Sequence, residues 1–308
     1  MEKEYEAFVE KLRRALIIGT GYDESRVYFK RKDDYPQTNG DRIFVECGIS
    51  ENSREICGLY ARELYENYLD GEPIEEIAGR TMTELNRMSD SGILEKVHDL
   101  DDYEKIKSDL FIRLLNFDKN KDDLKHAIYR KIGDIALVLY IRMGNFDGIV
   151  SSFKIRCDML ERWNMDSEEV FGKALLNTYY ISPPRIFRWE RLIFEPDYNG
   201  ENFMNILSNF TLNKDARGNC LSTTERTNGA VAVFLPGVAE RIGNLMGSGY
   251  YMVFTSIHEV MIHNDRAVDV EELRNVLKET VQEATPEEDF LSYYIYHYNR
   301  ESGKFTWE

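Results

Sequence analysis

Helical and strand-like periodicities follow one another along these 308 residues in no regular order, and that irregularity is the tightest constraint on the fold. A doubly wound or barrel α/β protein repeats a strand-helix unit, whereas a mixed order points to helices packed on antiparallel strands. Tyr5, Phe8, Val9, Leu12, Ala15 and Leu16 recur at three- and four-residue steps and predict an amphipathic helix ended by Gly19 and Gly21. Residues 26–30 (RVYFK) and 42–49 (RIFVECGI) are rich in β-branched and aromatic residues, and a polar stretch with Pro36, Asn39 and Gly40 separates them, so a hairpin is expected. Ile56, Tyr60, Leu64 and Tyr68 fall on one helical face. Asp70-Gly71 breaks that helix, and Pro73 suits the first turn of the next, with apolar positions Ile74, Ile77, Ala78, Leu85 and Met88.

A polar connection over 99–108 precedes three strand patterns at 110–117, 135–143 and 149–157. Asp166 and Glu169 have capping-box spacing before a helix carrying Val170, Phe171, Ala174, Leu175 and Thr178, which should stop at Ser182-Pro183-Pro184. The segment 185–194 (RIFRWERLIF) reads equally as helix or strand, and 195–227 reads as loop. VAVFL (231–235) has strand character, Pro236-Gly237 a turn, and a helix then runs to about Met246. YYMVFTSIHEVMIH (250–263) reads as two short strands or one bent strand. Asp269 and Glu272 open an acidic helix with Val270, Leu273, Leu277 and Val281 on its buried side; strands at 291–298 and at Phe305-Thr306-Trp307 close the chain. The expected fold is therefore α+β, with mixed, largely antiparallel sheets and flanking helices. Its expected division is an amino-terminal helix-hairpin-helical region, 1–98, and an α+β main region, 99–308, the two forming either separate domains or one continuous one.

Charge narrows the function. The chain has 39 basic and 55 acidic residues, a formal charge of -16, the wrong sign for wrapping a phosphate backbone. Residues 51–110 hold 16 acids against 7 bases and residues 268–289 hold 8 against 2, so these two segments carry almost the whole imbalance. Glu63, Glu66, Glu75 and Glu76 in the first, and Glu271, Glu272 and Glu279 in the second, are the candidate acidic surface for a basic protein partner. Solvated helix faces that keep a protein dispersed are the plainer alternative. No run is apolar enough for a membrane span and the amino terminus is unlike a signal peptide, so a cytoplasmic protein is expected. Cys47, Cys57, Cys157 and Cys220 form no CxxC pair and are expected to be reduced, mostly buried thiols.

The densest polar constellation is Ser256, His258, Glu259 and His263. A zincin needs two histidines four apart on a helix. A five-residue step turns the second imidazole about 140° away, so no metal is expected, and nothing calls for a cofactor. A Ser256-His258 hydrolase pair on a strand would be spaced about 6.6 Å, too far for direct proton transfer; the bland alternative is a strand with Ser256 and His258 on one face. Gly247-Ser248-Gly249 is neither a nucleophile elbow nor a P-loop. Arg185, Arg188 and Arg191 would share one stripe if their segment were a helix, and Tyr294, Tyr296 and Tyr298 alternate on one strand face, which suits core packing better than base stacking.

Asn39-Gly40, residues 63–77 (ELYENYLDGEPIEEI), 113–124 (RLLNFDKNKDDL), 161–178 (ERWNMDSEEVFGKALLNT), 228–238 (NGAVAVFLPGV), 256–260 (SIHEV) and 291–303 (LSYYIYHYNRESG) together resemble a bacterial family of unknown function, DUF5688, from anaerobic Gram-positive bacteria and often near mobile elements. The resemblance implies one family-wide architecture and no particular activity. With no intact catalytic motif, the leading expectation is a non-catalytic binding or regulatory protein, one form being a mobile-element or phage-encoded inhibitor whose acidic helices occupy the basic groove of a nucleic-acid-handling protein. The competing expectation is a hydrolase with His258 as general base and Glu259, Ser256 or Asn228 converging on it. A scaffold that only self-associates is the third.

Overall fold

A computed structural model describes residues 2–32, 40–50, 53–90, 96–97, 99–146, 149–195 and 197–308. The Pro36-Asn39 connection lies outside them, as do the side chains of Cys47, Met88 and Trp189. The chain divides into two compact units, residues 1–98 and 99–308.

In the first unit, helix α1 (Glu2–Thr20) buries Tyr5, Phe8, Val9, Leu12 and Leu16, the stripe its periodicity marks. Strands β1 (Val27–Lys30), β2 (Arg42–Ser50) and β3 (Ser53–Tyr60) form an antiparallel sheet in that order, followed by helices α2 (Ala61–Leu69) and α3 (Ile74–Asp90). The expected β1–β2 pairing is present, with Val27 opposite Val45. The helix expected from Ile56 onward instead starts at Ala61. Residues four apart satisfy a 2-residue period as well as a 3.6-residue one, and here Cys57 and Leu59 turn toward the core while Ile56 and Tyr60 face solvent. The Arg42 guanidinium lies 3.2 Å from the Tyr60 ring centroid and covers it. Buried Asp41 ties the layers together, accepting from Tyr5 Oη at 3.0 Å, Arg62 Nε at 3.1 Å and the Lys32 amide at 3.0 Å.

The second unit holds two sheets. Strand β6 (Ile135–Phe146) pairs with β4 (Leu110–Asn116), β5 (Tyr129–Ile132) and β7 (Ile149–Lys154). Short helices α4 (Tyr103–Ile106) and α5 (Cys157–Trp163) flank it, and α6 (Ser167–Ile181) packs on β4 with the Thr178 hydroxyl accepting the Ile112 amide at 2.9 Å. The Asp166 carboxylate caps α6 by accepting from the Glu168 amide. The other sheet contains β8 (Pro184–Phe187), β9 (Asn219–Thr223), β10 (Tyr250–Val253), β11 (Val260–Asn264), β12 (Ile295–Asn299) and β13 (Lys304–Trp307), in the order β13-β12-β10-β11-β9-β8. Every strand pairing among the described residues is antiparallel, and the fold is α+β.

Four further expectations are corrected. VAVFL is not a strand: Gly229–Phe234 is a 3-10 helix whose residues Gly229 to Val233 are all buried, and an apolar run buried all round carries no period to read. Segment 185–194 is both strand (β8) and helix, α7 (Trp189–Phe194), so Arg185, Arg188 and Arg191 share no stripe; Arg191 is paired with Glu195 and Glu201. Tyr294 lies before β12 and is exposed, while Tyr296 and Tyr298 are buried. Of the cysteines with a described side chain, Cys220 is buried, Cys57 half-buried and Cys157 exposed.

Helix α8 (Val238–Met246) follows the Pro236-Gly237 turn, and α9 (Val270–Ala284) lays Leu273, Leu277 and Val281 against Val253 and Ile295 of the larger sheet. Asp269 caps α9, accepting from the Glu271 and Glu272 amides. This packing leaves a groove between α9 and the β10–β11 connection.

Candidate functional site

Residues 254–259 are a loop between β10 and β11, not part of a bent strand. Four outside segments hold its backbone. Thr285 Oγ1 donates to Thr255 O at 2.8 Å, the Ile257 amide donates to Asp289 O at 2.9 Å, the Ala230 amide donates to Ile257 O at 3.1 Å, and Ser222 Oγ donates to His258 O at 2.7 Å. A loop so fully paired leaves its side chains little freedom.

His258 is fixed on both sides of its ring. The Asn228 amide donates to Nδ1 at 3.1 Å, and Nε2 lies 3.3 Å from Asp289 Oδ2. An acceptor Nδ1 puts the neutral ring's proton on Nε2, directed at the carboxylate. Asn228 adopts the left-handed conformation (φ 54°), which an asparagine tolerates and which turns its amide toward the ring. Thr255 Oγ1 and Ser256 Oγ donate to Glu259 Oε1 at 2.9 and 3.3 Å, and Ser256 Oγ accepts the His258 amide at 3.0 Å. Ser256 therefore meets the backbone of His258 and the carboxylate of Glu259. The Ser256-His258 nucleophile-base pair is not formed.

Of the residues expected around His258, only Asn228 meets its ring, and by its main chain; Ser256 and Glu259 lie in the same loop and bond to each other. Asp289, the acid partner of His258, carried no local signal: it lies in a run of acids with no distinguishing pattern. His263, on β11, lines the same groove without joining the loop's hydrogen bonds, its Nδ1 donating to Ala216 O at 3.1 Å. Among the described residues no group of three or more His, Cys, Asp or Glu is placed to hold a metal ion. Cys220, buried beside the loop, is a poor nucleophile, because burial and then the Glu259 charge push its thiol up to about 12.

The groove of about 690 Å³ joins these groups to α9. Its lining includes the polar Thr255, Ser256, His258, Glu259 and Asp289 and the apolar Val253, Met261, Val268, Leu273, Val276 and Leu277. Four carboxylates, of Glu259, Asp269, Glu272 and Asp289, line it against the one arginine, Arg217. Of the acidic candidates, Glu272 reaches this groove; Glu271 is exposed and paired with Arg274, and Glu279 is exposed on α9. Glu63, Glu66, Glu75 and Glu76 are exposed on α2 and α3 of the first unit.

Burial lowers the affinity of His263 for a proton, against the smaller opposing effect of its bond to Ala216 O. The unfolded chain, with an ordinary imidazole value near about 6.5, then binds the proton more readily than the folded one. Stability is full above that value and falls as pH drops below it toward the folded-state value. Urea unfolding at pH 7.5 and 5.5 should show this loss, and His263→Phe should lessen the difference; an unchanged difference would assign the loss to other groups.

A model of a family of unknown function, DUF5688, matches residues 5–300. No curated protein and no solved structure matches the chain.

Proposed function

The chain belongs to DUF5688, a family of unknown function, and we propose that it is a non-catalytic binding protein that takes a basic, partly apolar segment of a protein partner along α9. The carrying observation is the groove itself, with apolar walls and four carboxylates against one arginine. Such a lining suits a segment that buries an aliphatic or aromatic anchor and holds lysines or arginines at the rim. The loop side chains favour binding over reaction. Both His258 ring nitrogens and both nearby hydroxyls are engaged by neighbouring groups. One form of this function is inhibition of a nucleic-acid-handling protein through its basic surface.

The test uses the tagged full chain, wild type and Glu272→Lys, with partners recovered from host extract at about 0.05 and 0.5 M salt. The Debye length shrinks roughly threefold over that range, so the reading requires a stoichiometric basic protein whose binding weakens about tenfold or more and which Glu272→Lys fails to retain. Salt-independent capture, or equal capture by the variant, contradicts it.

The His258–Asp289 pair, lining the same groove, favours one second reading: a hydrolase in which the Asn228 amide withdraws to free Nδ1 as a base. Turnover in a broad hydrolase screen that His258→Ala abolishes would replace the binding reading with this one.

A further inference from the structure

A second pocket of about 400 Å³ lies in the larger unit, apart from the α9 groove, and is lined by Phe111, Arg113, Ile181, Thr223, Glu225 and Val231 among others. Register explains how an arginine comes to be there. Phe111 pairs with Tyr140 and Arg113 with Val138 across β4 and β6, so Phe111, Arg113 and Tyr140 stand on one sheet face. The guanidinium carbon of Arg113 is 5.2 Å from each of the Phe111 and Tyr140 ring centroids. Its Nε is buried and has no hydrogen-bond partner.

A second unmet polar group lines the same pocket. Thr223, at the end of β9, is 1% exposed, and its Oγ1 has no partner. Buried polar atoms are paired in the great majority of cases, and each exception calls for an explanation. Here two exceptions, one a charged donor and the other a hydroxyl, border one cavity. Arg142 lines it as well. Apolar Phe111, Ile112, Ile181 and Val231 share the rest of the lining with the polar Thr178, Ser182, Thr227 and Asn228, and the single carboxylate, Glu225, is exposed.

We propose that this pocket binds a small organic anion, its carboxylate or phosphate head on Arg113 and Thr223 and its apolar body against Phe111, Ile181 and Val231. A planar guanidinium whose Nε is desolvated supplies the donor geometry that such heads accept. The threonine hydroxyl adds a second donor, and the apolar walls supply the contact area.

The experiment titrates the full chain with phenylacetate, phenyl phosphate, acetate and neutral phenylacetamide by calorimetry, alongside thermal melts without ligand. Saturable binding of phenylacetate or phenyl phosphate is expected, at least tenfold tighter than that of acetate or phenylacetamide; which of the two binds more tightly identifies the head group. Arg113→Met should weaken it at least tenfold. The same variant should leave the ligand-free Tm equal or higher, because it removes a buried, unpaired donor; a purely structural arginine would lower it. Thr223→Val, close in shape, should weaken binding several-fold and serves as the independent variant should Arg113→Met fail to fold. No saturable binding below about 10 mM, equal binding of phenylacetamide, binding of acetate as tight as of the aromatic anions, or unchanged affinity in a folded variant each overturns the proposal.

Discussion

Gly229→Ala is expected to destabilise the larger unit by about 3 kcal/mol or more, beyond the usual range for a single added methyl group. The new Cβ would lie 2.0 Å from Ser222 Oγ, 2.6 Å from His258 O and 2.8 Å from the Thr223 amide nitrogen. Two of these are backbone atoms, so no rotamer change relieves the overlap. The third is the hydroxyl that donates to His258 O, and moving it breaks one of the bonds holding the loop. The damage should reach the groove as well as the core, since Asn228, whose amide holds the His258 ring, is the adjacent residue. Gly172→Ala is the matched control. Nothing lies within 4 Å of its added Cβ, and it sits inside α6, where alanine should gain up to about 1 kcal/mol. Urea unfolding of both variants measures the contrast, and a Gly229→Ala protein as stable as wild type would contradict the close packing of the 3-10 helix on β9.

Asp134→Ala should cost about 1–3 kcal/mol through a different mechanism: it leaves the buried Ser292 hydroxyl without its acceptor and removes one of two acceptors from Tyr296 Oη and Asn116 Nδ2, which keep Ile132 O at 3.0 Å and Leu291 O at 2.8 Å. Asp134 Oδ1 accepts from Ser292 Oγ and Tyr296 Oη, each at 2.7 Å, and Oδ2 accepts from Asn116 Nδ2 at 3.4 Å. Ser292 and Tyr296 are completely buried. Burial, and then the Asp134 carboxylate, raise the proton affinity of the Tyr296 phenol well above that of an ordinary tyrosine, which keeps it a donor. The turn that carries Asp134 is shaped for this contact: Gly133 has φ 62°, and a Cβ there would lie 2.4 Å from Tyr296 Oη. The network joins the β5–β6 turn to β12 and so ties the two sheets of the larger unit together. Tyr296→Phe should cost less, about 1–2 kcal/mol, because Asp134 keeps Ser292 and Asn116. Non-additive losses in the double variant would show the coupling directly. Additive losses would mean that the two residues stabilise the sheets independently.

Where periodicity was strong, the elements were legible from sequence. The α1 stripe, the α9 stripe and the Asp166 and Asp269 caps are local patterns, readable because the side chains involved lie within a few turns of one another. Legibility failed where the pattern fitted two periods, as at Ile56 and Tyr60, or had none, as in the all-buried 229–234 segment. It failed also for β5 (Tyr129–Ile132), where the adjacent charges of Arg130 and Lys131 break any apolar alternation. In the candidate site, Ser256, His258, Glu259 and His263 were marked as an unusual polar concentration, with Asn228 as a residue that could join His258, but their roles depended on which strand ended where.

The amino-acid sequence by itself determined the α+β class, the location of most helices and strands and the acidity of α9, because each follows from side-chain spacing or charge within a short segment. Only the tertiary structure decided that Asp289 meets His258, that the Asn228 amide rather than its side chain faces the ring, and that Arg113 and Thr223 border one cavity. Those contacts join segments distant in the chain, and nearness produced by sheet register and loop closure leaves no trace in the local order of residues.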